Sequence, residues 1–258
     1  MKRVSARPLT EEDYHRAAAE YLASLPLEHF MEATPQSTQR RVTLGSFDHL
    51  RVFRPDVHLF NELLVQYPLG DGLGQVVPDN MALISEQPIR DTGSFNLPFE
   101  SVQPLLVMEY VSLYSQRKDY KDSLRKYEEQ LKVPYCLMFY PEKQDLRVYR
   151  HARGRYQKMK PNAAGRYPIP ELDLEAGLLH GWVRFWYKGR LLELSSELQL
   201  QLDAEKQRAD QEKQRADQEK QRADQEKQRA DAAEAELERL RALLGQQGGK
   251  KPRAKGNG

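Results

Sequence analysis

A seven-residue unit, Glu-Lys-Gln-Arg-Ala-Asp-Gln, begins at Glu205, Glu212 and Glu219 and restarts at Glu226. Four of its seven positions are charged, so this stretch can neither line a core nor alternate as a half-buried strand. A seven-residue period instead suits a helix that pairs with another. One seam position reads Leu202, Ala209, Ala216, Ala223, Ala230, Leu237, Leu244. The second reads Leu198, Glu205, Glu212, Glu219, Glu226, Ala233, Leu240. In the middle only one seam position is apolar, and alanine buries little area. Pairs such as Arg208 with Glu212 and Lys206 with Asp210 each contribute only about 0.2–0.5 kcal/mol, but they recur along the helix. Two readings stay open: a lone charged helix, roughly 60 Å long over forty residues, or a coiled coil that pairs near its leucine-bearing ends. In the second case residues 198–244 would join a second copy or a partner helix.

The repeat divides the chain. Residues 1–194 form one expected domain, residues 195–244 the heptad-repeat helix, and residues 245–258 a basic tail. Its glycines and lysines predict disorder. The first 190 residues are rich in Leu, Val, Tyr and Phe, enough to bury a sizeable core. Of the chain's net charge of +2, the tail carries +4 through Lys250, Lys251, Arg253 and Lys255, and residues 1–204 carry about −1. A body this neutral offers no global attraction for nucleic acid, so any DNA-binding surface must be a local patch.

Cys136 is the only cysteine. It lies in the apolar run Tyr135–Tyr140 and reads as a buried small residue. One thiol makes no internal disulfide, which fits a reducing compartment. No run approaches the roughly 18 apolar residues of a membrane span. The first residues lead into a polar stretch rather than a signal core. The expected location is the cytoplasm.

Thr10 followed by Glu11, Glu12 and Asp13 reads as a capped helix start, with the helix ending near Ser24 before Leu25 and Pro26. Residues 41–53 look extended, and residues 57–67 have mixed spacing. The glycines of 69–74 lack a following Lys-Ser/Thr, so they read as a turn and not a phosphate loop. Met81–Ile84 is a strand, and Leu105–Ser112 is a short apolar run bounded by turn signals, also a strand. Tyr120, Leu124, Tyr127 and Leu131 make one stripe of a helix over 117–131. Cys136–Tyr140 is another buried strand, residues 146–151 and 155–160 a hairpin across Arg153 and Gly154, residues 171–179 a short helix, and residues 182–187 and 191–194 a last hairpin at Lys188 and Gly189. This order gives a mixed α/β class.

Carboxylates fixed on neighbouring strands can hold Mg²⁺ for phosphodiester hydrolysis. Glu109 ends an apolar strand at the rim of a core, and Asp79 follows Pro78 just before another strand. Ordinarily a strand-ending Glu is a solvated or paired side chain. The six histidines show no metal-ligand spacing, and Ser112 lacks a Gly-x-Ser-x-Gly setting. A second Pro-Asp, at Pro55 and Asp56, is not followed at once by a Glu-ending strand.

Pro78-Asp79 before a strand, an apolar run ending in Glu109-Tyr-Val-Ser112, a helix with Asp119 and Tyr127, and then Val133-Pro-Tyr with Leu137, Phe139 and Pro141 together resemble the Uma-two family. These are restriction-endonuclease-like domains of the PD-(D/E)xK nuclease superfamily. The resemblance spans about residues 15–190 and is densest over 77–150. It implies a restriction-endonuclease-like mixed sheet flanked by helices, with a long C-terminal charged helix added here. It also implies a metal-dependent DNA endonuclease using Mg²⁺ or Mn²⁺, with Asp79, Glu109 and, by a looser match, Glu32 as metal ligands. Val111 stands where the superfamily often has lysine. Family members commonly supply a lysine from the next helix, four residues before the tyrosine, where this chain has Ser123. Lys121 and Lys126 are the candidate substitutes as catalytic residues. The alternative is a catalytically degenerate nuclease fold, used as a scaffold that acts through its charged helix.

Overall fold

The structure, a computed structural model, describes residues 8–25, 34–89, 93–111 and 119–248. The described chain divides into two compact units, one up to Ser195 and one from Ser196 onward.

The first unit opens with α1 (Glu11–Ser24), capped as its sequence implies. The Thr10 side chain accepts from the Asp13 backbone N–H, and the Asp13 carboxylate accepts from the Thr10 N–H at 2.8 Å. Next comes α2 (Thr34–Phe53), where residues 41–53 were expected to be extended. The buried residues are Gln36, Gln39, Val42, Thr43, Ser46, Phe47 and Leu50. Their three-to-four spacing is helical, but four of the seven are polar, so apolar periodicity alone does not reveal the helix. Gln39 and Ser46 have buried partners. Gln39 Nε2 donates to the Val183 carbonyl at 3.0 Å, and the Val183 N–H donates to Gln39 Oε1 at 2.9 Å. Ser46 bonds back to the Val42 carbonyl at 2.8 Å.

The strands follow as β1 (Val57–Asn61), β2 (Leu64–Leu69), β3 (Gly72–Val76), β4 (Asn80–Ile84), β5 (Ser94–Asn96) and β6 (Leu106–Tyr110). After α3 (Asp119–Arg125) come β7 (Tyr135–Tyr140), β8 (Asp145–Ala152), β9 (Arg155–Lys158), β10 (Arg166–Ile169), β11 (Leu174–Leu179), β12 (Trp182–Tyr187) and β13 (Arg190–Leu191). The central sheet has the order β1-β4-β6-β7-β8-β9, parallel only between β6 and β7 and antiparallel elsewhere. That parallel pair needs a crossover, which α3 supplies. A three-stranded sheet orders β3-β2-β5, and a four-stranded antiparallel sheet orders β10-β11-β12-β13. The unit is a mixed α/β fold.

Residues 171–179, expected as a short helix, form a single tight turn (Pro170–Leu172) and then β11. Asp173 takes a left-handed backbone (φ 53°) that ends any helix there. Beyond it Leu174 and Ala176 alternate inward with period two. The expected turn at 69–74 is confined to Gly70 and Asp71, between β2 and β3. The remaining glycines are in β3, where Gly74 lies opposite Tyr67 and the tyrosine ring occupies the space a Cβ would need.

The central sheet has a core on each face. On one side α2 and the four-stranded sheet bring Phe47, Leu50, Leu174, Val183 and Phe185 against Met108, Tyr110, Leu137 and Phe139. On the other the three-stranded sheet and the α3 region bring Val65, Tyr67, Phe95, Tyr127 and Leu131 against Val107, Val111, Cys136 and Met138. Strand alternation therefore sends Glu109, between Val107 and Val111, into the second core.

The second unit is α4 (Ser195–Gly248), 54 residues long and, except for the half-buried Glu197, exposed wherever its side chains are described. It runs past Leu244 to Gly248. Residues 249–258 lie outside the described residues.

Candidate active site

Asp79 immediately precedes β4, and Glu109 is the fourth residue of β6. Asn80 pairs with Met108 in the antiparallel register, so one step further sets Asp79 beside Glu109. The Tyr110 backbone N–H donates to Asp79 Oδ2 at 2.6 Å. The two carboxyl groups act on each other electrostatically, and the Asp79 charge raises Glu109. The side chain of Asp79 keeps about a quarter of its exposure (24%), whereas Glu109 is 6% exposed. One carboxyl is thus partly exposed and the other is buried beside it.

Burial dominates the electrostatics. It lifts Asp79 to about 6, against the opposing pull of the Tyr110 N–H and the Arg40 guanidinium. Glu109 is pushed well above its ordinary value, first by burial and then by the adjacent Asp79 charge. Two carboxyls this close hold a proton between them unless a cation replaces it.

Tyr127 sets the position of Glu109. α3 continues into a wider turn over Lys126–Gln130, where Leu131 N–H reaches back to the Lys126 carbonyl at 2.9 Å. Such turns add a residue to a helix and re-aim a side chain. Here Tyr127 is fully buried, and its hydroxyl donates to Glu109 Oε1. Burial and the Glu109 charge raise the phenol well above its usual range, so it stays protonated as a donor.

Arg40 completes the surroundings. Its guanidinium lies 3.6 Å from Asp79 Oδ1 and 2.8 Å from Glu62 Oε1. Nothing in the sequence singles out Arg40, because it lies in α2, whose helical period is masked by polar inward residues.

Of the expected residues, the structure brings together Asp79 and Glu109. Glu32 lies outside the described residues, as does Ser112. Lys126 is turned to other work: its Nζ pairs with Asp122 at 2.9 Å and donates to the Gln75 carbonyl at 3.2 Å. Lys121 is exposed and lines an open cavity with Met138, Tyr140, Lys143, Arg147 and others. Ser123 is half-buried one helical turn before Tyr127. Asp56, of the second Pro-Asp, is held by Arg54 at 2.7–2.8 Å, which lowers its carboxyl below the ordinary range. Among the described residues no three His, Cys, Asp or Glu side chains converge. Two carboxylates still fit Mg²⁺, which takes oxygen ligands, keeps several waters and draws the rest from substrate phosphate.

A family model described as "Uma2: Putative restriction endonuclease" matches residues 28–181. The chain belongs to the Uma2 family. Its matched span holds Asp79, Glu109 and Tyr127, and ends before α4 begins. Among solved structures, the chain is similar to a protein from Anabaena variabilis titled a putative nuclease belonging to DUF820. The two are 17% identical over 55% of this chain and 75% of that one, with a TM-score of 0.42. No curated protein matches the sequence. No helix among the described residues is long and apolar enough to cross a membrane.

Proposed function

We propose that this Uma2 domain is a metal-dependent DNA endonuclease that hydrolyses phosphodiester bonds with Mg²⁺, or Mn²⁺ in its place. The observation that carries the reading is the Asp79–Glu109 pair, two carboxyls on adjoining strands, one partly exposed and one buried.

Asp79 and Glu109 would hold the ion. When bound, it supplies positive charge for the phosphate oxygens and lowers the pKa of a coordinated water. Tyr127 keeps Glu109 in one orientation, and the Tyr110 N–H does the same for Asp79. Arg40 partly offsets the negative charge of Asp79 and Glu62, so the pair attracts a cation without an excess of uncompensated charge. Lys121 is the better placed of the two lysine candidates, because Lys126 is already paired. Residues 198–244 are the segment through which a second copy or a partner helix would attach. Two copies would place one site on each DNA strand.

One observation favours a second reading, a degenerate nuclease fold that acts as a scaffold. The family's helical lysine is replaced by Ser123, and Lys126 does not take its place. The test is cleavage of supercoiled, linear and single-stranded DNA with Mg²⁺ or Mn²⁺, beside Asp79→Ala and Glu109→Ala. Cutting lost in both folded variants supports the nuclease. Cutting that survives both removes this site from the reaction. No cutting by any form, with no ion bound by calorimetry, selects the scaffold.

A further inference from the structure

The central sheet carries a row of side chains on the face that holds the carboxyl pair. Asp79 lies beside Glu109, Glu109 pairs with Met138 on β7, and Met138 pairs with Arg147 on β8. Register partners share a face, and neighbouring strands are about 4.8 Å apart. Arg147 therefore stands two strands, roughly 10 Å, from Glu109 on the same surface. Between them, Met138 forms part of an open cavity of about 260 Å³ that Lys121, Lys143 and Arg147 also line.

The charged side chains that line this cavity are of one sign, with Arg147 offset in part by Asp145 at its edge. Its lining residues include three cations and no carboxylate. Lys121 and Lys143 make no ion pair among the described residues, whereas the nearby Arg125 and Lys126 are both held by Asp122. Arg147 gives only its Nε to Asp145, at 2.8 Å, while its guanidinium lies over the Tyr140 ring at 4.4 Å. That arrangement fixes the guanidinium plane and leaves its two terminal nitrogens as donors. The rings, by contrast, are already occupied: Arg147 covers Tyr140, and Tyr149 packs on Tyr156. The cavity is thus equipped for a phosphate and not for a stacked base. In a body with a net charge near −1 over residues 1–204, such a patch is what a polyanion would find.

We propose that Lys121, Lys143 and Arg147 form a phosphate-binding subsite that holds the DNA backbone beside the phosphodiester at Asp79 and Glu109. The subsite's place next to the cut rests on the nuclease reading, but the binding itself does not. Contacts of this kind position the strand without reading sequence.

The test is fluorescence anisotropy of the full chain with labelled duplex and single-stranded oligonucleotides in EDTA, so that no cutting intervenes. Lys121→Ala with Lys143→Ala should weaken binding by roughly tenfold, equally for oligonucleotides of different sequence, and reduce the log–log salt slope by about two. Lys121→Arg with Lys143→Arg should restore both, and Arg147→Ala added to the alanine pair should lower the slope by about one more. Unchanged affinity and slope in the alanine pair overturn the subsite. A loss confined to one oligonucleotide sequence also overturns it, because the contacts would then be to bases. If no form cuts but binding depends on these lysines, the nuclease reading falls and the subsite stands. If the chain cuts and the alanine pair binds and cuts like the parent, the subsite falls and the nuclease reading stands.

Discussion

The Tyr127 hydroxyl donates a hydrogen bond to Glu109 Oε1 across the core between α3 and β6, where neither side chain has more than a trace of exposure. A residue of the crossover helix therefore governs a carboxyl on the strand that precedes it. The bond favours the charged form of Glu109 and opposes its burial. Tyr127→Phe should raise the pH at which cleavage reaches half its maximum, and cost about 1–2 kcal/mol of stability. A pH–rate profile and a urea titration read the two effects. An unchanged profile would show that the tyrosine only fills space.

Both carboxyls of the pair titrate above their unfolded values, Asp79 at about 6 and Glu109 well above the ordinary glutamate range through burial. With a chelator present, the folded protein keeps protons that the unfolded chain releases near pH 4. This pair's contribution is thus fully favourable below about pH 4. It is lost as pH rises towards 6 and beyond, opposite to the usual carboxylate. Glu109→Gln should be more stable than the parent at pH 8 by about 1–3 kcal/mol, with the difference vanishing near pH 4. Denaturant unfolding across that range measures it. A parent as stable as the variant at pH 8 would contradict the burial of this charge.

Cation binding must displace the same proton. Mg²⁺ or Mn²⁺ affinity, measured by calorimetry, should fall as pH drops through about 6. It should disappear in Asp79→Asn. An affinity independent of pH would place the ion elsewhere.

Ser123 is one turn before Tyr127 on the helix that faces the pair, and residues four apart share a helical face. Ser123→Lys should therefore raise the cleavage rate at least about tenfold, since a positioned proton-transfer or charge-stabilising group contributes this much or more. If the substituted protein folds and binds the ion but cuts no faster, the absent lysine does not limit cleavage.

Gln39 bonds both polar groups of the Val183 backbone and also reaches Thr43 Oγ1 at 3.1 Å. Gln39→Leu would leave a buried N–H and a buried C=O without partners, at a cost of about 2–5 kcal/mol. Urea unfolding of the variant checks this. A loss under about 1 kcal/mol would mean that the backbone groups find other partners.

The sequence by itself determined that residues 205–231 are helical, because four charged positions in each seven fit neither a core nor a half-buried strand. It determined the strand that carries Glu109, a short apolar run bounded by turn signals, and the Thr10 cap, which is a local hydrogen-bond pattern. Asp79 and Glu109 were legible as a pair through family resemblance. Spacing alone does not join two residues thirty positions apart. Only the tertiary structure decided that α2 is a helix. Its buried face mixes Val42, Phe47 and Leu50 with the polar Gln39, Thr43 and Ser46, whose partners lie on Val183, Met108 and their own helix. Only the tertiary structure turned residues 174–179 into a strand, because pairing with β10 and β12 outweighs the local pattern. It alone brought Arg40 to Asp79, Tyr127 to Glu109 and Arg147 into line with both. Local propensity depends on near neighbours in the chain, whereas burial, charge and register depend on strands that the sequence keeps far apart.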